Sequence, residues 1–202
     1  MKKALIWLVL GGVAAIFGLM VFSVGGEETA IADNAAIVDS VKIKMEKMDG
    51  DTVQLHRKLA RWYNLKVSEE LLTKDCVDAY WSILNLSDGI MGYLEIPSEE
   101  LMLPIYHGEE GASKGMGHVP ESALPIGGLG NHCLLISDIA CDNIREGDTI
   151  ILYILDEMLM HKADGIARGH QIDPVDGRSD SCTIIFRGNM TDTSVRASRT
   201  EK

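Results

Sequence analysis

Apolar residues recur every three or four positions between residues 27 and 86, which is the spacing of one face of an α-helix. The stretch MDGD at 48–51 interrupts this pattern, and Ser68 is a residue type that caps helix N-termini. The sequence therefore predicts a helical stalk over 27–86, with one helix beginning at Ser68. The apolar positions that define the helices are Ile31, Ala35, Val38, Val41 and Met45, then Leu55, Leu59 and Trp62, then Leu71, Leu72, Cys76, Tyr80, Ile83 and Leu84.

From residue 87 the pattern changes to short β-rich runs separated by Gly and Pro turns. Several short strands with little helix are typical of a closed or nearly closed β-barrel. The longest run, 148–166, predicts a hairpin with its turn at or near Asp156 and Glu157. We therefore expect a barrel over 87–202, with the stalk packed on it through a face that buries Trp62 or Trp81. The runs are IMGYLEIP, LMLPIYHG, HCLLIS, DTIILYILDEMLMHKADGI, CTIIF and TSVRAS.

The N-terminus carries a pattern typical of a membrane anchor. Residues 4–24 are uncharged and mostly apolar, and a helix rising about 1.5 Å per residue would cross a bilayer core over this length. Lys2 and Lys3 precede the run and Glu27 follows it, so the positive-inside rule predicts a cytoplasmic tip and anchor over 1–26 and an extracytoplasmic remainder. The alternative is a cleaved signal peptide, whose apolar region is usually shorter, about 7–15 residues.

Charge and cysteine spacing exclude other classes of protein. The net charge is −11, and the sequence has no basic stripe with interleaved aromatic residues, which argues against nucleic-acid binding. We expect no metal and no cofactor, because the cysteines and histidines lack the spacing of a metal site. A disulfide between Cys133 and Cys141 is an alternative to unlinked packing cysteines, which we favour. His107 and His118 are predicted to lie in glycine-rich loops. The four cysteines are Cys76, Cys133, Cys141 and Cys182.

Three segments within the predicted barrel resemble, in this order, the sortases, which are cell-wall cysteine transpeptidases of Gram-positive bacteria. The segments are IMGYLEIPSEELMLPIYHG, then KGMGHVPESALPIGGLGNHCLL with a Gly-His turn near its start, then GDTIILYILDEMLMHKADGI. The pilin-polymerising class C is the nearest match, and the likeness covers about residues 80–199. It implies an eight-stranded β-barrel, in agreement with the strand pattern. It also implies LPxTG-type surface proteins or pilins as partners, besides the membrane that holds the N-terminal helix.

Sortase chemistry, as the resemblance implies it, joins a Cys thiolate, a His that donates a proton and an Arg that stabilises negative charge. The family's His follows the strand that reads HCLLIS here, and that position falls on Asp138. A carboxylate is ionised at neutral pH, so it is a poor proton donor and opposes formation of a nearby thiolate. His132 lies six residues back along the strand, roughly 20 Å away, and is predicted to be structural.

The family's nucleophile ends an apolar strand, whereas the candidate Cys182 begins one, SCTIIF. If this run is the strand, the nucleophile position falls on Phe186, which is the interpretation we favour. The catalytic Arg then maps to Val195, next to Arg196. A slip of one residue turns a side chain to the other face of a sheet, and a β-bulge would be needed to place Arg196 correctly.

The sequence thus predicts a membrane-anchored sortase-like pseudoenzyme with an accessory or binding role in pilus assembly or in anchoring surface proteins to the cell wall. The alternative is an active class C-type transpeptidase that cleaves LPxTG-like sorting signals with Cys182, Arg196 and Asp138. The two hypotheses differ in the strand register over 181–199 and in the role of residue 138.

Overall fold

Eight β-strands and three α-helices form the regular structure of the part of the chain described by the computed structural model, residues 33–126, 132–169, 181–188 and 191–200. Helix α1 covers 33–46, and α2 and α3 cover Gly50–Ser68 and Lys74–Ile83. The strands are β1 Ile90–Ile96, β2 Leu101–His107, β3 Met116–His118, β4 Cys133–Ser137, β5 Thr149–Ile154, β6 Glu157–Arg168, β7 Ser181–Phe186 and β8 Thr193–Arg199. Short 3-10 turns, Pro97–Glu99 and Glu109–Ser113, separate β1 from β2 and β2 from β3.

The strands close into a barrel in the order β1-β2-β3-β4-β7-β8-β6-β5. The pairs β2–β3 and β4–β7 are parallel, and the other six pairs are antiparallel. This confirms the predicted eight-stranded barrel. The prediction of a Gly-His turn was wrong, because Gly117 and His118 lie in β3. A strand of three residues is too short to show the alternation by which strands are recognised.

The predicted hairpin is formed by β5 and β6. Ile154 pairs with Glu157, which leaves Leu155 and Asp156 as a two-residue turn. Leu155 adopts a left-handed conformation with φ of 57° although its side chain is buried. Arg57 of α2 forms ion pairs with Asp156 at 2.9 Å and Glu157 at 3.1 Å. The hairpin turn therefore contacts α2 as well as the sheet.

One face of α2 and α3 shares a core with the inward-facing side chains of the barrel, whereas α1 contributes Val38 and Val41 to a separate apolar cluster with Ile90 of β1. Tyr63 of α2 and Tyr80 of α3 are almost completely buried in the shared core and contact each other, with ring centroids 4.6 Å apart. Trp81 is partly buried against the same core, whereas Trp62 is 37% exposed. The helices thus pack on the barrel, as expected. The boundary between the helical stalk and the barrel, placed between residues 86 and 87, stays a prediction.

Two details of the helices differ from the sequence prediction. Helix α3 is capped by Thr73, whose hydroxyl accepts a hydrogen bond from the backbone N–H of Cys76, while Ser68 ends α2. The buried face of α2 also differs from the predicted one, because Leu55 is about half exposed and the face that meets the barrel contains polar groups. Those buried α2 residues are Val53, His56, Ala60, Tyr63 and Asn64.

The predicted anchor over residues 4–24 lies outside the described residues. Among the residues that are described, the helices are too short or too polar to span a membrane.

Candidate active site

The end of β4 holds Asp138 in a fixed backbone position. Its N–H donates a hydrogen bond to the carbonyl of Ala112 at 2.9 Å. The hydroxyl of the preceding residue, Ser137, donates to the carbonyl of Gly115 at 2.6 Å and accepts from the N–H of Ile139 at 3.1 Å. The Asp138 side chain is 45% exposed. Asp138 therefore presents its carboxylate to solvent from a rigid strand end.

The residue that meets this carboxylate is Arg187, which directly follows β7. Because β4 and β7 are parallel and Ser137 pairs with Phe186, the next residues of the two strands lie side by side. The Arg187 N–H donates to the carbonyl of Ser137 at 2.7 Å, and its Nη1 donates to Oδ1 of Asp138 at 3.3 Å. Both side chains are about half exposed, so this ion pair contributes at most about 1 kcal/mol to stability.

Phe186, the favoured nucleophile position, ends β7 as predicted, but its side chain points into the barrel. It is 1% exposed and belongs to the core, as do Cys182 and Ile184 at the alternate positions of the same strand. A residue at this position with a reactive side chain would face the core and not Asp138. Arg187, and not Phe186, is thus the residue of β7 that meets Asp138, and neither side chain is a nucleophile.

Cys182 lies at the other end of β7. It pairs with Cys133 on β4 and with Ala197 on β8, and it is 1% exposed. Since Asp138 is five residues beyond Cys133, about 16 Å of strand separates Cys182 from Asp138. The structure does not bring these two candidate residues together.

Arg196 lies on the outer face of β8, whereas Val195 and Ala197 point into the core. Its Nε donates to Oδ1 of Asp164 at 2.6 Å, and its Nη2 donates to the Asp164 carbonyl at 3.1 Å. The hydroxyl of Ser198 donates to the other carboxylate oxygen of Asp164. This partly buried network, which the sequence reasoning missed, fixes Arg196 away from the end of β7.

A β-bulge in β8 would be needed to place Arg196 beside the nucleophile position, but β8 pairs with β7 without one. The pairing of β7 with β8 is regular from Ser181 to Phe186, with Arg196 opposite Thr183. The register shift lies in β6 instead, between Ala163 and Gly165. Arg196 is therefore three residues, or about 10 Å, from the level of Phe186, and it faces the opposite side of the sheet from Cys182.

His132 has a structural contact of its own. Its Nδ1 lies 2.9 Å from Oγ of Ser181 and its Nε2 lies 2.8 Å from Oγ1 of Thr183. Partial burial lowers the pKa of His132, so the neutral ring is favoured. Ser181 and Thr183, which lie on either side of Cys182 in SCTIIF, were the sequence signal for this polar outer face.

His107 and His118 are buried strand residues and not loop residues, which corrects the sequence prediction. They are direct neighbours in the parallel pairing of β2 with β3. Their Nε2 atoms contact the backbone carbonyls of Leu84 and Ala123, the second at 3.0 Å. Burial lowers the pKa of each histidine to about 4. Within the described ranges, no group of three His, Cys, Asp or Glu side chains is arranged to hold a metal ion.

Comparison with known proteins shows which solved structures have a similar fold. No family model matches the chain, and no curated protein matches it. Solved class C sortases do match. Sortase C from Clostridium perfringens SM101 is 24% identical with a TM-score of 0.66, and covers 83% of this chain and 99% of its own. C. perfringens sortase C with the C-terminal cell wall sorting motif is 26% identical (TM-score 0.67, 83% and 100%). Sortase C1 from Streptococcus agalactiae is 24% identical (TM-score 0.66, 85% and 99%). The chain therefore has the fold of class C sortases.

Proposed function

Taking the class C sortase fold as the premise, we propose that this chain is a catalytically inactive sortase-like protein with an accessory or binding role in pilus assembly or in the cell-wall anchoring of surface proteins. The observation that carries the proposal is the ion pair between Asp138 and Arg187. Asp138 stands at the position where the resemblance to sortases implies the proton donor, and its carboxylate is paired with Arg187, the residue that follows the favoured nucleophile position, Phe186.

Covalent transfer in a sortase needs a thiolate that the substrate can reach, a proton donor and a positive charge near the oxyanion. The thiol of Cys182 is buried, and about 16 Å along the strand separates it from Asp138. Arg187 supplies a positive charge but cannot act as the nucleophile, since its guanidinium stays protonated. These features support binding without turnover.

The proposed partner is a peptide of the LPxTG type, carried by a pilin or another surface protein. A similar protein, sortase C from C. perfringens, has been solved with the C-terminal cell wall sorting motif, which supports this class of ligand. We further propose that residues 4–24 anchor the chain in the membrane and that the domain after them is extracytoplasmic. The uncharged run and the flanking lysines support that placement.

The alternative function is an active transpeptidase that uses Cys182, Arg196 and Asp138, and the similarity to class C sortases is what favours it. To separate the two, the purified chain is incubated with a fluorogenic LPxTG-like peptide and an amine nucleophile, and its intact mass is measured. We expect no cleavage and no acyl adduct, but binding of the labelled peptide in fluorescence anisotropy.

The controls are a peptide with the same residues in scrambled order, an active class C sortase and the Cys182→Ala variant. A thioacyl adduct that disappears in Cys182→Ala would establish the transpeptidase instead. Equal anisotropy with the ordered and scrambled peptides would contradict a role in binding sorting signals.

A further inference from the structure

Two cysteines lie directly opposite each other inside the barrel. Cys133 is the first residue of β4, Cys182 is the second residue of β7, and the parallel register pairs them. Their side chains are 2% and 1% exposed and belong to the same core. Neighbouring strands lie about 4.8 Å apart, which is within the range of Cα separations, about 4.4–6.8 Å, that a disulfide spans.

The other two cysteines are not placed to form a disulfide with Cys133 or Cys182. Cys141 follows the far end of β4, where burial, and then the charges of Glu99 and Asp148, raise its pKa to about 12. Glu99 precedes β2, at the opposite end of the barrel from Cys133 and His107. Cys76 lies in the first turn of α3 and is partly exposed. The Cys133–Cys141 pairing considered from sequence would have to join the two ends of the barrel.

We propose that Cys133 and Cys182 form an inter-strand disulfide when the chain folds in an oxidising compartment. The oxidant is a disulfide, either a small molecule or a thiol–disulfide oxidoreductase. The thiolate of one cysteine attacks the disulfide sulfur of the oxidant, forms a mixed disulfide and releases one thiol. The second thiolate attacks the mixed disulfide and releases the second thiol. Two protein thiols are oxidised, the oxidant is reduced to two thiols, and the cysteine protons end on the leaving groups.

The bond would have to form before the barrel closes or during its opening. In the closed barrel both thiols are shielded from an external oxidant, and burial beside Cys182 raises the pKa of Cys133 well above its usual value, so little thiolate is present. Once formed, the bond would hold together β4 and β7, the two strands whose ends carry Asp138 and Arg187. It would also close a loop of about 50 residues, which restricts the unfolded chain strongly.

The test uses the full chain, unfolded in urea and refolded in buffers of oxidised and reduced glutathione. Free thiols are then blocked with an excess of alkylating agent in urea at neutral pH, where buried thiols become accessible, and the linked peptides are mapped by mass spectrometry. We expect a Cys133–Cys182 link to predominate in oxidising buffer. The melting temperature of the oxidised protein should exceed that of the reduced protein by roughly 5–10 °C.

The Cys141→Ser variant is the matched control and should retain both the link and the rise in melting temperature. Cys182→Ser should lose both. If Cys182→Ser does not fold, the peptide map of the unmodified chain still shows whether Cys133 and Cys182 are linked, since that measurement needs no variant. Complete alkylation of Cys133 and Cys182 after oxidative refolding, or a dominant link to Cys76 or Cys141, would overturn the proposal.

Discussion

The side chain that faces outward next to Asp138 determines which chemistry this end of the barrel can support. Along β7 the inward residues are Cys182, Ile184 and Phe186, so the next residue, Arg187, lies on the outer side and meets the carboxylate. A nucleophile at this level of the barrel would have to occupy the position of Arg187. A shift of one residue is enough to exchange the core face for the outer face.

A matched pair of cysteine substitutions tests this assignment. We expect Arg187→Cys to be alkylated by iodoacetamide in the native protein at the rate of an exposed thiol, because the Arg187 side chain is about half exposed. Phe186→Cys should react at least about 100-fold more slowly, because a buried thiol reacts only through opening of the barrel. Intact mass against time measures both rates, and the unmodified chain gives the background from the native cysteines. Faster alkylation of Phe186→Cys would restore Phe186 as the nucleophile position.

The candidate site could be predicted from sequence only where local patterns define it. Asp138 follows a clear apolar strand, so its position at the strand end was recognised. Arg187 was not, because its contact with Asp138 depends on the parallel pairing of β4 with β7, strands that are nearly 50 residues apart in sequence. The partner of Arg196 was missed for a similar reason, because Asp164 reaches it from a bulged strand.

At the scale of elements, the strong β patterns were reliable and the helix faces were not. Seven of the eight strands match the predicted runs to within two residues, because alternation and Gly or Pro turns define a strand locally. In α2 the apolar positions Leu55 and Trp62 are partly exposed, whereas His56 and Asn64 are buried. The hydrogen bonds of its side-chain amide explain why Asn64 can be buried. It donates to the carbonyls of Leu124 and Ile126 and accepts from the N–H of Leu124, so a polar side chain is fully used at a buried position.

The two faces of α2 should therefore differ sharply in their contribution to stability. Tyr63→Ala should lower the free energy of unfolding by about 3–5 kcal/mol, because it removes a fully buried aromatic ring that packs on Tyr80. Leu55→Ala on the same helix should cost less than about 1 kcal/mol, because half of that side chain is already exposed. Urea unfolding followed by circular dichroism measures both. Equal losses for the two variants would mean that α2 does not pack on the barrel through this face.

At the scale of the whole molecule, the helices and the barrel together bury a pair of histidines. His107 and His118 are neighbours on β2 and β3, and the rings of Tyr80 and Tyr63 lie 4.9 Å from His107 and 6.4 Å from His118. Each histidine has its Nε2 on a backbone carbonyl, while the two Nδ1 atoms are buried without a hydrogen-bond partner within the described part of the chain. A proton added to either Nδ1 would thus place a charge in the core with nothing to accept it.

This burial predicts that the fold loses stability in weak acid. Both histidines have a pKa of about 4 in the folded protein, below the value of about 6.5 in an unfolded chain. The unfolded state therefore takes up protons first, so stability is complete above pH 6.5, falls between pH 6.5 and about 4, and levels off below that. The loss is on the order of 3 kcal/mol for each histidine.

Because carboxylates also titrate in this range, the decisive quantity is the difference between the unmodified chain and His118→Gln, each unfolded in urea at pH 7, 5.5 and 4.5. Glutamine can still donate a hydrogen bond near the carbonyl of Ala123 but does not titrate. His118→Gln should be less stable than the unmodified chain at pH 7. This difference in the free energy of unfolding should shrink as the pH falls, because residue 118 takes up a proton on unfolding only in the unmodified chain, which therefore loses stability that the variant does not lose. A deficit that stays constant across the three pH values would show that His118 is as readily protonated in the folded protein as in the unfolded chain, contrary to its position between the strands and the tyrosine rings.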